Sequence, residues 1–355
     1  MQEMLKMLLA QYGVPKKILD TLTMIVLSLI RSKTASIRQM ADFIEINASK
    51  QVKVNRIWRF INKSKLFKPN SIYKAIVKLI FSTYKAEQII IDFTALKGHQ
   101  IKLFIASIPF MGRSMPIYCE PLFLSDIYSL KYSSENEFII KQIEALMKIL
   151  PKGKKITILA DRQFSSKKFM KIFNEKNIDF VMRIKENIRI KIENEEKLIK
   201  DLNDGEHKIE IDGVICYLYK KEDNKGNIVI ISSKKFKNLK RALKMYKRRA
   251  LCENMHRDLK SKLNLLFLNK KYYKNMNSLK VGKYLVLFLL SEVLGIFIGY
   301  LGKKKKEIYK RFVSKKDEKS LFNLGQSLII MNSFLDLFAS FTHFINKAIG
   351  LRLTT

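Results

Sequence analysis

The sequence predicts an α/β protein: a core in which strands alternate with helices, interrupted by a β-rich insertion and flanked by N-terminal and C-terminal helical regions. Three observations carry this expectation. The apolar pattern has a helical period up to about residue 85 and changes at Gln88 to short continuous apolar runs, the mark of buried strands. Those runs then alternate with helical stretches as far as Ile184, the order of elements expected of a layered α/β sheet. Residues 186 to 235 are strand-patterned and nearly neutral, with eleven acids to ten bases, inside a chain of formal charge +36.

Residues 1 to 30 read as one helix passing from amphipathic to buried, with Ile18, Leu19, Leu22, Ile25, Val26 and Leu29 at helical spacing. From Ser36 to Ile61 a helix, a break near Asn47 to Ser49 and a second helix with Val54, Ile57, Trp58 and Ile61 make a helix-turn-helix-like pattern. Arg31 to Lys68 holds ten basic residues and two acids. A DNA-docking module, with Arg56 and Arg59 among its contacts, is one reading. A plain helical bundle with a basic face is the other, because the turn lacks its common Gly. A helix over 71 to 84 leads into the core.

Ile89 to Ile91 form a buried strand ending in Asp92, and Ile101 to Pro109 and Ser114 to Phe123 are two more, joined across Phe110, Met111, Gly112 and Arg113. A helix over 134 to 150 stops at Pro151 and Gly153, and Ile156 to Leu159 make a strand followed by Ala160 and Asp161. A helix over 165 to 176 and a strand from Ile178 to Ile184 complete the run. In the insertion, Lys208 to Lys220 and Ile228 to Ser232 read as strands, with turns at Asp212-Gly213 and Lys225-Gly226. The domains expected are therefore 1–85, helical and DNA-binding; 86–185 with 236–302, the catalytic core; 186–235, the insertion; and 303–355, helical, containing a stretch from about Leu321 to Ile349 after the solvated tract Lys303 to Lys306.

Composition narrows the partner. With 68 Lys and Arg against 32 Asp and Glu, a polyanion is expected, nucleic acid first, through phosphate neutralisation and counterion release. Abundant Ile, Asn and Lys also fit an AT-rich genome, so charge alone does not decide. Cys119, Cys216 and Cys252 show no CxxC or Cys/His spacing, which points to a reducing cytosol and to neither disulfides nor zinc. The apolar run around Met7 to Ala10 is too short for a signal-peptide core. Tyr284 to Leu301 has the minimum length of a membrane span, but Glu292 at its middle costs about 3 kcal/mol to insert. A buried core helix with no membrane partner is expected.

The stretch Tyr246 to Lys260 bears the chemistry. On a helical wheel Tyr246, Arg249, Glu253 and Lys260 fall within about 60° of arc. One acid flanked by a phenol, a guanidinium and an ammonium suits a site that grips phosphate and holds a metal; the same spacing is also that of a solvated basic helix. Asp92 and Asp161 each follow an apolar strand and Glu253 sits on a helix able to pack beside them. Three converging carboxylates meet the requirement of two Mg²⁺ ions (or Mn²⁺), hard cations that take hard oxygen ligands and act on phosphoryl groups.

The order Asp, Asp, Glu, with the last reading Tyr, two residues, Arg, three residues, Glu, six residues, Lys, resembles the DDE transposases of bacterial insertion sequences, and more narrowly the insertion-sequence-four family. The stretches IIIDFT at Ile89 to Thr94, GRSMPIYCEPL at Gly112 to Leu122, ILADRQF at Ile158 to Phe164 and FVMRIK at Phe180 to Lys185 support it. Phe93, where many relatives have Trp, and Gln163, where many have Gly, depart from the pattern. The resemblance implies a ribonuclease-H-like core with Asp92, Asp161 and Glu253 as catalytic metal ligands and Tyr246, Arg249 and Lys260 on the DNA backbone at a cleaved transposon end. It implies an enzyme, acting in the bacterial cytoplasm on the nucleoid, that binds terminal inverted repeats as a homodimer on double-stranded DNA, cleaves there and joins the freed 3′ ends to target DNA. A nuclease without strand transfer and a catalytically decayed DNA-binding protein are the alternatives. Relatives of this kind also close hairpin ends, for which Tyr217, Tyr219 and Phe236 are the aromatics at hand to stack a flipped base.

Overall fold

The computed structural model describes residues 2–96, 101–193, 195–222, 227–265, 277–304 and 320–330, without the side chains of Met4 and Leu8. The chain opens with helices α1 (Gln2–Gln11), α2 (Lys16–Ser32), α3 (Ile37–Ala41), α4 (Lys50–Lys63) and α5 (Pro69–Thr83). The first thirty residues thus form two helices instead of the single one expected. Gly13 at φ +89° and Pro15 ahead of α2 break the helical path between them. Ser49 caps α4, its hydroxyl accepting from the Val52 amide at 3.4 Å.

Strands β1 (Gln88–Ala95), β2 (Ile101–Phe110) and β3 (Arg113–Phe123) follow as an antiparallel meander. The β2–β3 turn is two residues, Met111 at φ 46° and Gly112 at φ 75°, both left-handed as a tight hairpin of this twist requires. After α6 (Leu124–Tyr128) and α7 (Glu135–Ile149) come β4 (Thr157–Ala160), α8 (Lys167–Glu175) and β5 (Asp179–Arg183). The strands β1, β4 and β5 run parallel, so the first five strands lie in the order β3-β2-β1-β4-β5. This is a mixed sheet with flanking helices, the α/β architecture expected.

Residues 186–235 form β6 (Arg189–Ile192), β7 (Glu195–Leu198), β8 (Gly205–Ile211), β9 (Val214–Lys221) and β10 (Ile228–Ser232). They extend the same sheet: β10 pairs antiparallel with β5, and the order runs on as β10-β9-β8-β6-β7. The strand-patterned stretch Lys208 to Lys220 folds back on itself at the expected turn, Asp212 and Gly213, whose φ values are 54° and 81°. The turn at Lys225-Gly226 lies outside the described residues.

Helices α9 (Leu239–Lys247) and α10 (Leu251–Arg257) carry the chain across the sheet, and α11 (Ser278–Lys304) and α12 (Leu321–Ile330) close the described structure. Among the described residues α11 is the one helix long and apolar enough to cross a membrane, yet 94% of its apolar window is buried against protein. Its neighbours are β3, α2, α5 and α12. The α11–α12 contact is backbone on backbone: a Cβ on Gly299 would stand 1.7 Å from the Leu321 carbonyl oxygen, and one on Gly325 1.9 Å from that of Gly295. Lys305 and Lys306 and the expected helix beyond Ile330 lie outside the described residues.

Candidate active site

Parallel pairing brings the two aspartates together. Ile89 sits beside Ile158 and Ile90 beside Leu159, so two residues further on Asp92 and Asp161 are level on strands about 4.8 Å apart. The sequence expectation ended the first strand at Asp92; the ladder continues to Ala95, opposite Lys102 of β2, and Asp92 therefore lies within the sheet and is buried. Asp161 stands just past β4, where it caps a single 3₁₀ turn from Arg162 to Phe164.

The third acid arrives on a helix that is not the uniform one assumed. A 3₁₀ turn over Arg248–Ala250 tightens the path between α9 and α10, and a π turn over Asp258–Lys262 widens it after α10. Despite these changes of pitch, Arg249 reaches all three acids. One nitrogen, Nη2, lies 3.6 Å from Asp92 Oδ1 and 3.8 Å from Asp161 Oδ2, while Nη1 lies 3.5 Å from Glu253 Oε1. Both aspartates share a single nitrogen, so their facing oxygens are no farther apart than the sum of those two distances. The acids grade from dry to wet, with side chains 13%, 28% and 69% exposed for Asp92, Asp161 and Glu253.

Each aspartate divides its oxygens between a fixed donor and this shared centre. Asp161 Oδ1 accepts from the Gln163 amide at 2.8 Å and leaves Oδ2 for Arg249. Asp92 Oδ2 accepts from His256 Nε2 at 2.6 Å and leaves Oδ1 for Arg249. Burial acts to raise the Asp92 pKa, but the His256 hydrogen bond and the charges of His256 and Arg249 outweigh it and hold the carboxyl below the usual range.

His256 was not among the residues singled out from sequence. The signal was present: it follows Arg249 by seven residues and Glu253 by three, and so continues the same stripe. Asp92, Cys252 and His256 offer donor atoms within 4.8 Å of one another. That trio is a hydrogen-bonded pair beside a neutral thiol, because burial, and then the nearby Asp92, push Cys252 up to about 12. The three carboxylates fit a divalent metal better. Their donors are all hard oxygens, and they already converge on a cation, the Arg249 guanidinium.

Other expected residues fall into two groups. Lys260 Nζ reaches Thr94 Oγ1, two residues past Asp92, at 3.4 Å. Tyr246 is half-buried near Arg249, Arg183 and Asp161, and burial raises its pKa. Arg56 and Arg59 lie exposed on α4, with Arg56 on Thr21 Oγ1 at 3.4 Å; neither joins the acidic cluster. In the insertion, Tyr219 packs edge-on against Phe236 at 5.9 Å and its hydroxyl accepts from the Phe236 amide at 2.6 Å, so this pair is committed to its own core.

Behind the site lies a second polar cluster. Arg113, opening β3, pairs with Asp258 at the end of α10, both nearly buried. Glu292 on α11 is fully buried, and neither carboxyl oxygen has a hydrogen-bond partner. Burial raises its pKa to about 8, with only the Arg113 charge opposing the rise.

Among solved structures, the chain is similar to a piggyBac transposase synaptic complex with hairpin DNA, at 13% identity and a TM-score of 0.45, covering 99% of this chain and 73% of that one. No curated protein matches it. Residues 84–289, more than half the chain and including Asp92, Asp161, Arg249, Glu253 and His256, match the transposase DDE domain. The protein belongs to the transposase DDE domain family.

Proposed function

We propose that this transposase is of the insertion-sequence-four kind, binding the terminal inverted repeats of its element, cleaving there and transferring the freed 3′ ends to target DNA. The convergence of Asp92, Asp161 and Glu253 on one guanidinium is the observation that carries the reading. In it, these carboxylates hold two Mg²⁺ or Mn²⁺ ions. Divalent ions bound there supply activation of a water or 3′-hydroxyl and charge stabilisation at the phosphorus. Arg249 neutralises the acids before metal and DNA arrive and then grips the backbone phosphate bidentately, with Lys260 and Tyr246 beside it. Glu253, the most exposed of the three, completes the site last.

The remaining assignments follow from this reading. Residues 1–85 supply much of the end recognition, with Arg56 and Arg59 exposed on α4 for phosphate contact; 86–185 with 236–302 form the catalytic core; 186–235 are its insertion; and 303–355 close the chain. Two copies assemble on a pair of ends, in the bacterial cytoplasm where the element resides. The test is cleavage of end-bearing duplex DNA in Mg²⁺ or Mn²⁺. Asp92→Asn, Asp161→Asn and Glu253→Gln should each lower the rate by about 10³-fold, the scale of losing one preorganised charge-stabilising group, while leaving DNA binding in place. Full cleavage in excess chelator, or by Glu253→Gln, would sink the assignment; cleavage without joining would reduce the protein to a nuclease.

A further inference from the structure

The two aspartates are pinned by the same device from different sources. A carboxylate can rotate about its last torsion and offer either oxygen, and a metal pair needs one particular oxygen facing inward. For Asp161 the choice is made by backbone: the Gln163 amide holds Oδ1 at 2.8 Å, as the geometry of the capped turn requires. Asp92 lies inside a strand, opposite Ile105 of β2, and the one local backbone group acting on its carboxylate, the Phe93 amide, contributes less than His256 or Arg249. Its outer oxygen is held instead by a side chain from 164 residues away, His256 Nε2 at 2.6 Å. An ionised carboxylate only accepts, so Nε2 carries the hydrogen.

We infer that His256 is a positioning residue for the metal centre, fixing Asp92 Oδ2 so that Oδ1 faces Asp161 and Glu253. The inference rests on the proposed reading of the three acids as metal ligands. His256 and Arg249 stand two turns apart on one helix and take opposite oxygens of the same carboxylate. One helix therefore sets both the cation that fills the centre and the orientation of the acid that lines it. Hydrogen-bond partners of this kind around a metal ligand typically change metal affinity by about 10- to 100-fold when removed.

Mn²⁺ affinity of the full-length protein without DNA, read from the free-ion paramagnetic resonance signal, tests the inference apart from catalysis. His256→Phe keeps the bulk of the ring and removes the donor. His256→Gln places an amide nitrogen where Nε2 stood. His256→Phe should bind Mn²⁺ about 10- to 100-fold more weakly than wild type, and His256→Gln close to wild type, with circular dichroism verifying the fold of each. His256→Leu serves as the donorless variant should Phe not be accommodated. Wild-type affinity in a folded donorless variant, beside weakened binding in Glu253→Gln, overturns the positioning role and leaves the three-acid reading standing. Equal weakness in His256→Gln and the donorless variant also overturns it. Unchanged Mn²⁺ binding in Asp161→Asn and Glu253→Gln removes the reading beneath it.

Discussion

Two buried carboxylates in this protein have opposite fates. Asp92 and Glu292 are both shielded from water, yet Asp92 is held below the usual carboxylate range and Glu292 is pushed up to about 8. Partners make the difference. Asp92 receives the His256 hydrogen bond and faces the Arg249 guanidinium, so burial is offset twice. Glu292 has no hydrogen-bond partner on either oxygen, and its nearest compensating charge, Arg113, is already paired with Asp258. Burial sets how much is at stake; the contacts decide the sign.

The comparison can be broken most forcefully at Arg113. Arg113→Met leaves Asp258 and Glu292 buried without a cation, and should lower stability by about 3–5 kcal/mol in denaturant unfolding. The double variant Arg113→Met, Asp258→Leu should recover most of that loss. A wild-type midpoint for Arg113→Met would mean that the cluster behind the site is not held by charge.

Glu292→Gln sharpens the core side. The unfolded carboxyl titrates near its ordinary value of 4.5 and the native one near 8. Because the native value is the higher, the stability linked to this group is complete below the unfolded value and is lost as pH rises through the native one. At pH 7 the loss is on the order of 3 kcal/mol. Glu292→Gln should remove this slope, so that its advantage over wild type grows with pH across that window in parallel urea melts.

Asp92→Asn sharpens the site side and has the smallest effect on stability. Here the native value is the lower, so stability is present above the unfolded value and lost as pH falls through the native one. The variant should be the less stable protein at neutral pH and converge on wild type in acid, the reverse of the trend for Glu292→Gln. Parallel slopes for the two variants would show that burial alone governs both acids.

Much of the site was legible in the chain. Asp92, Asp161 and Glu253 could be picked out because each follows a recognisable local pattern, and Arg249 because it precedes Glu253 by one helical turn. His256 continues the Arg249–Glu253 stripe, but its spacing says nothing of its role, because its partner Asp92 lies across the fold on β1. Glu292 was seen only as an obstacle to membrane insertion. Its real setting, unpaired beside a saturated Arg–Asp pair, depends on how α11 packs on β3 and the π turn.

By itself, the sequence determined the periods, the order of strands and helices, the basic excess and the Tyr-Arg-Glu-Lys spacing, because these are properties of neighbours along the chain. It could not say that β10 would add to the edge of β5 and make the insertion part of the core sheet, since strand pairing is chosen by which apolar faces and backbone groups meet in space. Nor could it say which oxygen of Asp92 faces inward. That was decided when parallel pairing of β1 and β4 set the aspartates level, and the 3₁₀ turn and α10 brought the Arg249 guanidinium to one oxygen and the His256 imidazole to the other. Spacing along one helix prescribes which side chains share a face; only packing prescribes what that face meets.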